Sequence, residues 1–270
     1  GGLVAGSGAV ATASHPAVVT AASASGSSVQ AGTDAGFYAL SVGRADAVAK
    51  RLGVGGLLGA GVTVANAQVG GSVDAHSAGT VLGGSNLTFE ANGKHYADAI
   101  AFTVAGSLGV SVGGGSSTAT VDPAIRAYIT GNVSGISGDI VVSTISEGNA
   151  DSETKGTAVS GVASFSGSYT RATLRPDIDT YIHAGSVTAG DDITVRSSHN
   201  MTGDNPTAGK GADARANASS ISGLLSVNGV DAVATASAKM DTYVQGTGAG
   251  ITATGGTLSV ASRSSNDAYV

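Results

Sequence analysis

Ala212-Asp213-Ala214 opens a stretch that decides the fold. It runs through Ser222-Gly223-Leu224-Leu225 and Met240-Asp241-Thr242-Tyr243-Val244, and closes on Gly255-Gly256-Thr257-Leu258-Ser259-Val260-Ala261-Ser262. Each landmark recurs upstream in the same order. The Ala-Asp-Ala box begins at Ala45, Ala97, Ala150 (as Ala-Asp-Ser), Ala212 and Asn266 (as Asn-Asp-Ala), giving spacings of 52, 53, 62 and 54. A small-small-apolar box begins at Gly2, Gly56, Ser107, Gly161 and Gly223, spaced 54, 51, 54 and 62. An apolar residue entering a strand recurs at Val18, Val73, Ile125, Ile178 and Met240, spaced 55, 52, 53 and 62. Three independent series agree on a period near 53, the signature of a repeat architecture. The repeats fall at about 1–44, 45–96, 97–149, 150–211 and 212–265, with the next beginning at 266–270, in one continuous array over 1–270.

The recurrent 62 marks an insertion in one copy. It lies in 199–211, where Gly, Pro, Asn and Asp dominate, so a surface loop is expected there. Elsewhere the copies read as strands. Phe102, Val104, Leu108, Val110 and Val112 alternate with small residues, and so do Thr157, Val159, Ala163, Phe165 and Tyr169. Period-two alternation with abundant Gly and Ser argues for β-structure and against helix. The last strand of each copy follows a Gly-polar turn: Gly84-Ser85-Asn86-Leu87-Thr88-Phe89, Gly138-Asp139-Ile140-Val141-Val142, Gly190-Asp191-Asp192-Ile193-Thr194-Val195 and Gly256-Thr257-Leu258-Ser259-Val260. The first copy reads as degenerate there, with Gly36-Phe37-Tyr38-Ala39-Leu40.

Composition agrees. There are 43 Gly in 270 residues, no Trp, no Cys and 4% aromatics, too few bulky side chains for an ordinary globular core. A 41% hydrophobic share argues against disorder. One copy cannot bury its own apolar face, so Leu224, Met240 and Leu258 need the copies on either side. The expected fold is all-β: a repetitive β-solenoid, β-helix-like, in which equivalent strands stack about 4.8 Å apart. Ile125, Ile178 and Met240 then form one interior column, and Tyr128, Tyr181 and Tyr243 a second ladder. One wide coil per period and two coils of about 26 residues both fit. Tandem β-sandwich modules of two repeats each are the alternative.

The net charge of −6, with no basic run, excludes nucleic acid as an expected partner. The absence of Cys removes disulfides and thiolate metal sites. The apolar run from Leu52 to Val69 carries Asn66, Gln68 and many Gly, and is not expected to span a membrane. With neither an initiator Met nor a signal peptide, the chain reads as a mature or excised piece of a longer one. The array is expected either to continue in a longer chain or to join others end to end into a fibre.

The units Ala189-Gly190-Asp191-Asp192-Ile193-Thr194-Val195 and Ser137-Gly138-Asp139-Ile140-Val141-Val142 resemble the recurring unit of filamentous haemagglutinin-like adhesins. The Ala-Asp-Ala and Gly-Gly-Leu-Leu half is more similar to the long Ala- and Gly-rich repeats of giant bacterial surface proteins. The resemblance implies a secreted, cell-surface protein with a structural or adhesive role, and a host or cell-surface ligand.

Candidate sites follow from the columns. Asp46, Asp98, Asp151, Asp213 and Asp267 would stack into a carboxylate ladder able to share Ca²⁺, or equally serve as solvated turn residues. No other cofactor is implied. Tyr128, Tyr181 and Tyr243 are the candidate surface for a glycan. Of four Asn-x-Ser/Thr sequons, at Asn86, Asn132, Asn200 and Asn217, Asn200 is expected to be displayed on the loop and is the candidate for glycosylation. A polysaccharide-degrading enzyme would need a singular site. The singular features are His15, His76, His95, His183 and His199, Asp191-Asp192, and Arg171 with Arg175, and they share no metal or triad spacing, so no enzymatic activity is expected.

Overall fold

The computed structural model describes residues 3–270 and contains no helix, so no helix is long and apolar enough to cross a membrane among the described residues. The chain winds through long strands that pair with their own equivalents about one period later. Leu58–Ser77 pairs with Val4–Ser23 below it, and above it with Val110–Val121 and Ala124–Ile129. Those pair in turn with Ala163–Leu174 and Asp177–Ala189, and these with Leu225–Ala236 and Lys239–Ala253. The second wall stacks Ala35–Val54, Leu87–Ser107, Ile140–Ser160, then Ile193–His199 and Ala212–Ile221. A short third side is made by Ser28–Gln30, Thr80–Gly84 and Val133–Ile136. The arrangement is compatible with a β-solenoid.

Pairing is parallel throughout the described residues, except in the hairpin of Met201–Thr202 with Asn205–Pro206. This excludes the sandwich alternative, whose sheets are antiparallel. Partners lie one period apart, as in Leu58 with Val110 and Val110 with Ala163, and none of the parallel partners lies about 26 residues apart. The winding is therefore one wide coil per period. The offset rises to 62 beyond the loop, where Ala150 meets Ala212.

Two cores keep the walls apart. Val73, Ile125 and Ile129 from the first wall, Val81 and Val133 from the third side, and Leu87, Phe89 and Ile140 from the second enclose a bulky apolar core. Along the same strands the filling then changes to alanine: Ala65 and Ala67 on one wall against Ala97, Ala99 and Ala101 on the other. At the far end the backbones touch. A Cβ on Gly59 would lie 2.2 Å from the carbonyl oxygen of Gly106, and one on Gly113 2.6 Å from that of Thr157, so only glycine fits there. Hydroxyl pairs fill the same layer, with Thr63 and Thr103 bonded across it at 2.6 Å.

The Gly-polar turn acts as a register clamp. Asp34, Asn86, Asp139 and Asp192 each use Oδ1 to accept the backbone N–H of the equivalent residue one coil on, at 3.1, 3.0, 3.0 and 2.6 Å; the acceptor for Thr257 is Asp192. The first copy is not degenerate but displaced from where the sequence places it: Asp34 supplies the polar residue, and Phe37 stacks on Phe89 with centroids 4.7 Å apart.

Three further expectations are corrected. Val19, not Val18, pairs with Val73, and a slip of one turns Val18 outward, 74% exposed. Asp267 leaves the carboxylate column because Ala268 pairs with Ala212, and Asp267 faces Gly211 instead. Leu224 is not buried between copies; it is 83% exposed at the outer turn, as are Leu3, Leu57 and Leu108 at theirs. The run Leu52–Val69 is two strands, Ala35–Val54 and Leu58–Ser77, joined by a turn. The box beginning at Gly2 starts outside the described residues.

Candidate functional site

A regular side-chain array on the surface grows from strands Asp177–Ala189 and Lys239–Ala253 and their partners below. Because equivalent positions stack in register, Tyr128, Tyr181 and Tyr243 form a ladder with centroids 4.9 and 5.0 Å apart and rings within 8° of parallel. His76 extends it downward, stacked on Tyr128 at 4.5 Å. The sequence signal for His76 was its phase, 52 residues before Tyr128. The ring faces are turned to one another, so the ladder presents edges and phenol hydroxyls to solvent. A sugar stacks on a ring face, and within the column those faces are taken by the neighbouring rungs. Burial first, then the neighbouring phenols, push the Tyr181 hydroxyl up to about 12. It stays a neutral hydrogen-bond donor at any physiological pH.

A charged column runs beside the rings, two residues away along each strand. Arg126 is its hub: Nε donates to Asp179 at 3.1 Å, and the guanidinium lies 3.5 Å from Asp177 and 3.8 Å from Asp74. Lys239 bridges Asp177 at 3.0 Å and Asp241 at 3.1 Å. On the other flank His183 meets Gln245 at 3.1 Å. The network sits at alternate positions around each tyrosine, in Asp179-Thr180-Tyr181 and Asp241-Thr242-Tyr243, the one signal it leaves in the sequence.

The carboxylate ladder stacks Asp46, Asp98, Asp151 and Asp213 in register on the opposite wall. Arg44 pairs with Asp46 at 2.8 Å, Asn149 donates to Asp151 at 2.6 Å, and Arg215 pairs with Asp213. Partial burial, then the like charges of neighbouring rungs, raise the Asp98 and Asp151 carboxyls above the ordinary range. The carboxylates are spread along the column, one to a rung except that Glu153 joins Asp151, whereas calcium asks for six to eight converging oxygens. Among the described residues, the acidic groups that converge are instead Asp139, Asp191 and Asp192, all exposed in the clamp turn.

The loop is anchored at both ends. Asn200 is 1% exposed and adopts φ 50°, and its amide makes a paired bond with Gly148: Oδ1 accepts from N–H at 2.8 Å and Nδ2 donates to the carbonyl at 3.1 Å. The expectation of a displayed Asn200 side chain is therefore corrected: its Nδ2, the atom a glycan would need, is engaged inside the fold. Asn86, Asn132 and Asn217 are exposed. At the loop's return Lys210 bonds Glu147 at 2.7 Å and lies 4.3 Å from the centre of the Tyr96 ring, whose hydroxyl also donates to Glu147 at 2.7 Å.

No known protein family, curated protein or solved structure matched the chain.

Proposed function

We propose that the chain is a β-solenoid of roughly five ~53-residue coils. In this reading it forms part of the shaft of a bacterial surface fibre outside the cell, with a structural or adhesive role. The observation that carries the reading is the unbroken parallel register: equivalent residues stack from Val4 to Ala236 on one wall and from Ala35 to Ile221 on the other. Backbone hydrogen bonds then run along a single axis, and Asp34, Asn86, Asp139 and Asp192 lock each coil to the next. Tension along that axis is shared by every bond of a rung, which suits a load-bearing element. The resemblance of the clamp turns to filamentous haemagglutinin-like repeats supplies the cell-surface and adhesive part of the proposal.

Imaging and fibre diffraction of the native material test it. Filaments with an axial repeat near 4.8 Å are expected, and compact globular particles without that repeat would sink the shaft reading. A glycan array run beside it decides the adhesive part. Saturable binding abolished by substituting Tyr128, Tyr181 and Tyr243 would replace the scaffold with a lectin.

A further inference from the structure

The thin end of the coil carries an exposed apolar strip that its own fold does not explain. On the first wall four outward columns lie side by side. One is Val4, Leu58, Val110, Ala163 and Leu225, and the outermost is Val10, Val64, Ser116, Tyr169 and Asp231. Among the described residues Asp231 is the only charge on this strip. Beyond the first rung, where Gly6 and Gly8 are both small, the two central columns are complementary. Ala60 stands beside Val62, Val112 beside Gly114, Phe165 beside Gly167, and Val227 beside Gly229, so each of these four rungs holds one small and one large residue. The second rung inverts the order of the three above it. A shallow groove of about 540 Å³ follows the glycines.

These glycines serve nothing inside the chain. A Cβ on Gly167 or Gly229 would meet no atom within 4 Å, and one on Gly114 would sit an ordinary 3.6 Å from the Gly167 carbonyl oxygen. None of the three has positive φ. Glycine in a strand interior costs about 0.5–1 kcal/mol relative to alanine and marks places where something else approaches closely. Gly113, one residue from Gly114 and facing inward, does have an internal reason. The outward ones need an external one.

We infer that this strip is the interface for a second copy of the same chain, packed face to face with the two solenoid axes parallel. A two-fold axis parallel to the winding, lying between the two central columns, sets each ridge residue against the groove position of the same rung on the partner. Val112, Phe165 and Val227 then enter the partner's notches at its Gly114, Gly167 and Gly229. The inverted rung fits as well, because Val62 meets the partner's Ala60. The next pair of columns is brought together by the same operation and sets Ala163 against the partner's Tyr169. Such an interface is isologous and closed.

Four columns of about 6.6 Å and five rungs of about 4.8 Å cover roughly 600 Å² per copy, about 1,200 Å² in total, the lower edge of a specific interface. Every added rung in a longer array would extend the same contact. The pairing goes beyond the shaft reading, since it joins shafts laterally rather than lengthening one.

Sedimentation velocity of the 270-residue chain over a concentration series is the test, with melting and circular dichroism as controls for folding. The wild type is expected to form a reversible dimer. Gly114→Val places two large residues in one rung and is expected to weaken dimerisation at least about tenfold while the fold is kept. The swap Val112→Gly with Gly114→Val recreates the pattern of the second rung and is expected to recover affinity to within about threefold. A monomeric wild type would overturn the inference, as would dimerisation indifferent to Gly114→Val, or a loss that the swap does not repair. Open-ended growth insensitive to Gly114→Val would reject lateral pairing and leave the shaft intact. Flotation of monomers with phosphatidylcholine vesicles, kept or strengthened in Gly114→Val, would assign the strip to a lipid surface instead.

Discussion

The two ends of the coil solve one problem in opposite ways. At the wide end, Phe89, Ile125, Ile140 and their neighbours hold three walls apart by side-chain volume. At the thin end, Ala67, Ala99 and Ala101 let two walls close, until Gly59 and Gly113 bring backbone against backbone. The same strands run through both, so the difference is set by residue size alone. The wide end must be sensitive to losing volume and the thin end to gaining it.

The largest expected effect is deletion at the wide end. Phe89 is fully buried and stacked on Phe37, and Phe89→Ala should cost about 3–5 kcal/mol in a urea or thermal melt. A cost below about 1 kcal/mol would mean that the wide core collapses around the gap, and the distinction between the two ends would fail.

Acid should open the seam between them. His95 lies between Ala91 of the wide core and Ala97 of the thin one, and burial, with His15 nearby, holds it down to about 4; burial alone does the same to His199. His95 Nδ1 and His199 Nε2 have no hydrogen-bond partner among the described residues. An imidazole whose folded value lies below its unfolded value of about 6.5 resists protonation only while folded. The unfolded state therefore takes up more protons between pH 6.5 and 4, and stability falls as pH drops through that window. Each histidine should cost about 2 kcal/mol by pH 5. Melts at pH 7 and pH 5 check this, and His95→Leu should remove about half of the acid loss; a curve flat over that range would show the seam to be wet.

The period, the strands and the columns were legible because in-register stacking forces equivalent residues to recur at one spacing. Tyr128, Tyr181 and Tyr243, and Asp46 through Asp213, could be aligned by subtraction alone. What failed were positions where identity did not fix register. Val18 and Val19 are the same residue, so only the pairing of the whole strand chooses between them. Asn266-Asp267-Ala268 looked like the box, yet the pairing of Ala268 with Ala212 shifts it by two. The burial of Asn200 was hidden because its partner is a backbone, that of Gly148, which carries no sequence signal. The wide and thin ends were hidden because the size of a buried residue says how far apart the walls stand only once the facing residue is known.

Insertion at the thin end is the next test in size. Ala99 is fully buried among alanines of both walls, and Ala99→Leu should cost about 1–3 kcal/mol through displaced backbone rather than lost burial. The informative result is the contrast with Phe89→Ala: if Ala99→Leu stabilises the fold, the thin end holds spare space and the walls are spaced by something other than alanine.

The smallest effect belongs to the outer face over the thin end, where the carboxylate column is partly open to solvent. Asp98 faces Asp46 and Asp151 on adjacent rungs, with Glu153 and Arg44 close by, and burial followed by the Asp46 charge raises its carboxyl. A raised carboxyl means the folded state holds its proton more tightly than the unfolded one. The charged column therefore destabilises above the folded value and is relieved as pH falls through it. Asp98→Asn should accordingly stabilise by about 0.2–1 kcal/mol at pH 7, with the gain vanishing in acid. Millimolar calcium separates this from ion capture. A ladder balanced by Arg44 and Arg215 should melt at the same temperature with calcium or chelator, whereas a calcium-dependent rise in the wild type, lost in Asp98→Asn, would turn the column from a cost of stacking into a cation site.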